Sequence, residues 1–266
     1  MKKTYAIANL ISVILVLVVN GLSQSQRWNN TTIGERSDQY DNLFTPAGYA
    51  FAIWGLIFLM LVGYALFQIR RAFFSDKPTP SIEQTGWWFF IANLANAAWV
   101  VAFTYDYIGV SQLIMLVILV SLLMIVKRTN MERWDAPIEV IAFVWWPICI
   151  YAGWIAVATI ANFSAYFTAL GFDGGPWSET SWTLLMIVIA TAVNLFMIFS
   201  RNMREFAAVG IWALVAIYVR HGGRIDSIAY TALAGALILG IAAMYHGYQN
   251  RATAPHLKLK ERLSKS

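Results

Sequence analysis

The chain has 266 residues, of which 59% are hydrophobic and only 12% are charged, with a formal net charge of +5. Soluble domains carry about 25% charged residues, so a water-soluble fold would have nowhere to put this apolar surplus, and that class is excluded. The single cysteine, Cys149, cannot form an intramolecular disulfide or complete a cysteine zinc site, and within an apolar run it reads as a packed core residue.

A membrane-crossing helix needs about 20 mostly apolar residues. In chain order the windows that meet or approach this are 5–23, 46–69, 86–105, 107–126, 140–163, 181–200, 206–219 and 227–245, and none contains Asp, Glu, Lys or Arg. The first follows Lys2 and Lys3, as a secretory leader would. No clear small-x-small cleavage site follows it, so an uncleaved span is expected. Asn29-Asn30-Thr31 matches a glycosylation sequon by pattern alone. Thr45 and Pro46 predict a capped start for the second helix, and Asp135 and Pro137 a start for the fifth. Gly174, Gly175 and Pro176 mark a loop before the sixth. Asn202 and Glu205 have capping-box spacing before the seventh, a short window of about 21 Å at 1.5 Å per residue. Gly222 and Gly223 mark a turn, and Asp226 and Ser227 the start of the eighth helix. The predicted fold class is therefore all-α: a polytopic transmembrane helix bundle of about eight spans.

With the N-terminus inside, 15 of the 19 Lys and Arg residues fall on its side, against Arg27, Arg36, Arg220 and Arg224 outside. The positive-inside rule then predicts both termini in the cytoplasm. An integral protein of the bacterial inner membrane is expected. The basic segments read as topology signals that also touch anionic lipid, with no nucleic-acid partner.

Twelve tryptophans are many for this length. Trp28, Trp87, Trp88, Trp134, Trp177 and Trp182 lie near span ends, where interfacial belts form. Trp54, Trp99, Trp154 and Trp212 lie deeper, where each indole N–H needs a partner. Asn96, Trp99 and Phe103 share one face of the third helix, and Trp154, Ala158 and Asn162 share one face of the fifth. Two readings stay open. The stripes pack helix on helix through Asn hydrogen bonds and small residues, or they wall a cavity with aromatic sides and a few polar fixing points.

Three runs resemble the TspO/MBR family, the tryptophan-rich sensory or translocator proteins. Thr45-Pro46, eight residues before Trp54, resembles the family's start of helix two. Asn96-x-x-Trp99-x-x-x-Phe103 resembles its third-helix motif, and the run from Tyr151 through Trp154 and Ala158 to Asn162 resembles its fifth. Tyr49 stands near where the family usually has Trp, and Ile150 where Pro commonly precedes the tyrosine. The resemblance covers about 160 residues and divides the chain into a TspO-like five-helix domain (1–170), three additional helices (171–250) and a basic cytoplasmic tail (251–266). It implies a five-helix bundle around an apolar pocket bordered by Trp54, Asn96, Trp99, Phe103, Tyr151, Trp154, Ala158 and Asn162. Its members bind porphyrins, sterols and synthetic aromatic ligands, and some promote light-dependent porphyrin breakdown.

No covalent cofactor is expected, and a bound porphyrin or sterol-like lipid is the ligand class implied. The partners are that small apolar or aromatic ligand and membrane lipids, and a homodimer is compatible with the resemblance. A sensor or carrier is the primary expectation. A membrane scaffold or partner-binding subunit and a weak light-dependent porphyrin-degrading activity are the alternatives. His221, His246 and His256 lie near span ends or in the tail, so axial haem ligation within the bundle is not expected. No window holds a lysine for a Schiff base or a carboxylate for a proton relay, and no metal-ligand spacing is present.

Overall fold

A computed structural model describes residues 1–172 and 174–264. In chain order its helices are α1 (Lys2–Ser25), α2 (Ile33–Gln39), α3 (Ile53–Phe73), α4 (Pro80–Thr85), α5 (Trp88–Thr104), α6 (Ile108–Arg128), α7 (Ile138–Val140), α8 (Trp146–Ala169), α9 (Glu179–Arg201), α10 (Arg204–His221), α11 (Asp226–Gln249) and α12 (Pro255–Leu263). The all-α polytopic bundle expected from the hydropathy windows is what forms, with no strand among the described residues.

Local chemistry sets the helix limits, and not always as predicted. Thr45 caps nothing: Gly48–Ala52 winds as a 3-10 turn and α3 begins at Ile53. Asn202 ends α9 in a left-handed conformation instead of capping α10, whose N-cap is Met203 with no side-chain bond. Glu205 is thereby free to accept the Trp146 indole N–H at 3.1 Å. Pro147 lacks an N–H and its ring crowds the carbonyl four residues back. The chain accommodates it with a π-helical turn over Ile141–Trp145, which joins α7 to α8.

Six of these segments are long and apolar enough to cross a membrane: Lys2–Ser25, Gly48–Phe73, Ile108–Arg128, Ile138–Ala169, Glu179–Arg201 and Asp226–Gln249. About eight were expected. Trp88–Thr104 has the composition but only 17 residues, and α10 carries Arg204, Glu205, Arg220 and His221 within its 18. Both nevertheless traverse the bundle. Trp87, just before α5, stacks edge-on against Tyr5 at one end, 5.3 Å between ring centroids. At the other end the Thr104 carbonyl accepts from Asn29 and Arg36. Helix α10 runs from Glu205 beside Trp146 to Arg220, which pairs with Asp41 and donates to the Thr45 carbonyl.

The charged contacts sort into two ends. One gathers Arg133 on the Ser200 carbonyl, Arg201 on the Val126 carbonyl, and the Lys258–Asp135 and Arg262–Glu139 pairs. The other gathers Arg27–Glu35, Arg36–Asp106 and Arg220–Asp41. These are the two groups that the positive-inside count separates.

Helix α8 is the axis. It packs on α3 and α6 on one side and on α10 on the other, while α9 and α11 close around α10. Over residues 147–157 it is apolar all round, which suits a stretch enclosed on every side. Gly153 brings α8 onto α10, because a Cβ there would lie 2.8 Å from the Phe206 carbonyl oxygen. Two apolar cores result, a larger one centred on α1, α3, α5, α6 and α8 that also takes in Met197 of α9 and Phe206, Val209 and Ala216 of α10, and a smaller one among α9, α10 and α11 that reaches α8 at Val157.

Candidate ligand site

The aromatic stripes of α3, α5 and α8 meet inside the larger core. Trp54 stacks on Phe58 at 5.2 Å and meets Trp154 edge-on at 6.5 Å and Tyr151 at 6.1 Å. Trp99 stacks on Phe103 at 4.9 Å. Trp54, Trp99, Phe103, Trp154, Ala158 and Asn162 line one hollow of about 50 Å³. Asn96 and Tyr151 are buried outside that lining, with the Asn96 amide donating to the Tyr151 hydroxyl at 2.9 Å. Asn20 of α1 donates to the Asn96 carbonyl oxygen at 3.3 Å.

The two carboxamides are therefore occupied. Asn162 Oδ1 accepts the Trp99 indole N–H at 3.1 Å, and its Nδ2 donates to Ser111 Oγ at 3.1 Å and Gln112 Oε1 at 2.9 Å. These bonds tie α8 to α5 and α6, where a polar group left unpaired in an apolar interior costs about 1–3 kcal/mol. The deeper indoles divide differently. Trp99 and Trp212 have acceptors, the latter the Ala50 carbonyl at 3.1 Å. Trp54 and Trp154 line the hollow and their indole N–H groups have no acceptor among the described residues, although Trp154 is 2% exposed.

Helix α2 closes the mouth, with Ile33 and Ser37 facing the same hollow. Its start is a capping box. Thr32 Oγ1 accepts the Glu35 N–H at 3.2 Å, and Glu35 accepts the Thr32 N–H at 2.9 Å. Arg27 on Glu35 also holds that carboxyl below the usual carboxylate range. The helix is latched by Arg36, buried, which donates to the Thr104 carbonyl at 3.1 Å and lies 3.3 Å from Asp106. Tyr40 donates to the same Asp106 at 2.6 Å, and burial together with that carboxylate pushes its hydroxyl up to about 12.

The motif residues did not disclose this lid, though the Thr-x-x-Glu spacing at its start was there to read. They also missed Ser111 and Gln112, which stand out as adjacent polar residues in the apolar run of α6. A third feature had no signal at all. Glu132, Cys149 and Glu205 bring a ligand atom each to within 4.8 Å of one another at the Arg133 end, despite the absence of any such spacing in the chain. Burial, then the neighbouring Glu205 carboxylate, pushes Glu132 up to about 8, against the pull of Arg204.

The sequence model of the TSPO-like protein family matches residues 6–245. The chain belongs to this family. The TSPO-like match continues through α9, α10 and most of α11, beyond the five spans over which the motifs were read. No curated protein and no solved structure matches the chain.

Proposed function

We propose that this TSPO-like membrane protein binds an apolar aromatic ligand, with a porphyrin as the leading candidate, and serves as its sensor or carrier. The observation that carries the reading is the pair of indole donors, Trp54 and Trp154, on one aromatic hollow without acceptors of their own. A porphyrin offers what they lack: a flat π surface and carboxylate or carbonyl acceptors. The hollow of about 50 Å³ is far below the ~300–1,000 Å³ of small-molecule sites. The described state is thus the closed one, and entry requires α2 to lift and the indoles to part. The occupied carboxamides of Asn96 and Asn162 position helices in this state, so the indoles, not the amides, make the first polar contacts with the ligand. The end bearing Lys258 and Arg133 is the cytoplasmic one, in a bacterial inner membrane.

Titration of the purified protein in lipid nanodiscs with protoporphyrin, read by tryptophan quenching, tests this. Saturable binding is expected, weakened about tenfold in Trp54→Phe and in Trp154→Phe, one hydrogen bond's worth each. Saturation absent, or both variants binding like the parent protein, refutes it.

The tight closure supports one other reading, a scaffold whose Trp and Asn stripes are packing alone. It predicts no porphyrin binding and a large loss of thermal stability in Asn162→Ala, which would leave the Trp99 indole unpaired.

A further inference from the structure

A second hollow lies where α8 ends and α9 begins, roofed by the 41–44 segment. It measures about 480 Å³, within the size range of small-molecule sites. We propose that it binds an amphipathic organic cation, an alkylammonium head on an apolar body.

Phe44, Phe167, Phe172 and Trp182 line the hollow. Three of them form a connected set, with Phe172 5.4 Å from Phe167 and 6.2 Å from Trp182. Among the described residues the side-chain donors of the lining are engaged, save the second N–H of the Asn42 amide. Trp182 Nε1 donates to the Gly174 carbonyl at 2.8 Å, and Asn42 Nδ2 to the Tyr40 carbonyl at 2.9 Å. The hydroxyls of Ser164, Thr168 and Thr183 donate to helix carbonyls. Among the described residues no Lys, Arg or His lines the hollow. A carboxylate or phosphate would find at most one amide N–H and no cation there, which disfavours anionic ligands.

What remains is π surface and negative charge. Asp41 is neutralised by Arg220. Glu179 has no cationic partner among the described residues, and its Oε1 accepts only the Leu43 N–H, at 3.2 Å. The positive N-terminal end of α9 is offset by the negative C-terminal end of α8, which meets the same hollow. Aromatic rings beside the Glu179 carboxylate make the environment that recognises quaternary ammonium groups. The hollow also has a direction. Glu179 is exposed at the start of α9, and Met186, half-buried, lies seven residues further along the helix, about 10 Å away. The ligand therefore puts its ammonium at Glu179 and its apolar part toward Met186.

Two sources share this chemistry, the choline headgroup of a lipid and a free alkylamine. The test uses the full chain in maltoside micelles with tritiated octyltrimethylammonium, counted by scintillation proximity and corrected for empty micelles. Saturable binding is expected, displaced by unlabelled cation but not by octanol or octyl sulfate. Glu179→Gln and Trp182→Leu should each weaken it about tenfold or more, while Trp182→Phe, which keeps a ring, and Trp154→Phe, in the other hollow, should retain it. Displacement by added phosphatidylcholine but not phosphatidylglycerol identifies a lipid headgroup as the source, and displacement by neither identifies a free amine. Absence of saturable binding, equal displacement by octyl sulfate, or an unaffected Glu179→Gln overturns the proposal. Because the probe and variants differ from those of the porphyrin titration, either site can fail alone.

Discussion

Glu132 is placed to make the stability of the fold depend on pH. Its carboxyl is held among Glu205, Cys149 and Arg204, and burial keeps it protonated up to about pH 8. The unfolded chain releases that proton near the ordinary glutamate value of 4.5. Between these limits the folded state binds more protons than the unfolded one, so stability falls as pH rises. The thermal midpoint in detergent should therefore drop between about pH 5 and about pH 8. Glu132→Gln, neutral throughout, should flatten that slope. An unchanged slope in the variant would assign it to other groups. Stability at higher pH is expected to level off, because above its folded pKa the residue is ionised in both states.

At the scale of elements, α2 is the part built to move. It is short, seven residues, and contributes only Ile33 to the larger core. Its attachment to the bundle runs through Arg36 on the Thr104 carbonyl and Asp106. Arg36→Gln removes the ion pair and should speed both protoporphyrin binding and release several-fold with a smaller effect on affinity, as a loosened lid would. Stopped-flow quenching checks it, and unchanged rates would mean the ligand enters elsewhere. The long helices are held in a different way. The π-helical turn before Pro147 and the close approach at Gly153 set α8 between two cores, and neither can loosen without disturbing both.

For the whole molecule, the scarcity of charge and the length of the apolar windows made the membrane class and the all-α bundle legible, because burying a charge in lipid costs too much to be hidden in a sequence. The three motifs likewise carried the family. The span count was less exact, since α5 and α10 stretch across the bundle with fewer or less apolar residues than isolated spans need. The candidate site was legible as a set of stripes. That its carboxamides bond side chains of neighbouring helices instead of a ligand depends on helix rotation, which no single helix encodes. The meeting of Glu132, Cys149 and Glu205 was invisible for the same reason. Orientation is testable because Cys149 is buried. In intact cells an impermeant thiol reagent should label Arg224→Cys but not Lys77→Cys, and the reverse pattern would invert the assignment. One consequence follows from α8 forming a wall of both hollows, through Trp154 and Asn162 in one and Ser164 and Phe167 in the other. If filling the first chamber displaces that partition, the second feels it, and thermodynamic linkage makes the influence mutual. A porphyrin that tightens or loosens the grip on an alkylammonium must itself be gripped more or less tightly by the same factor when the alkylammonium is present.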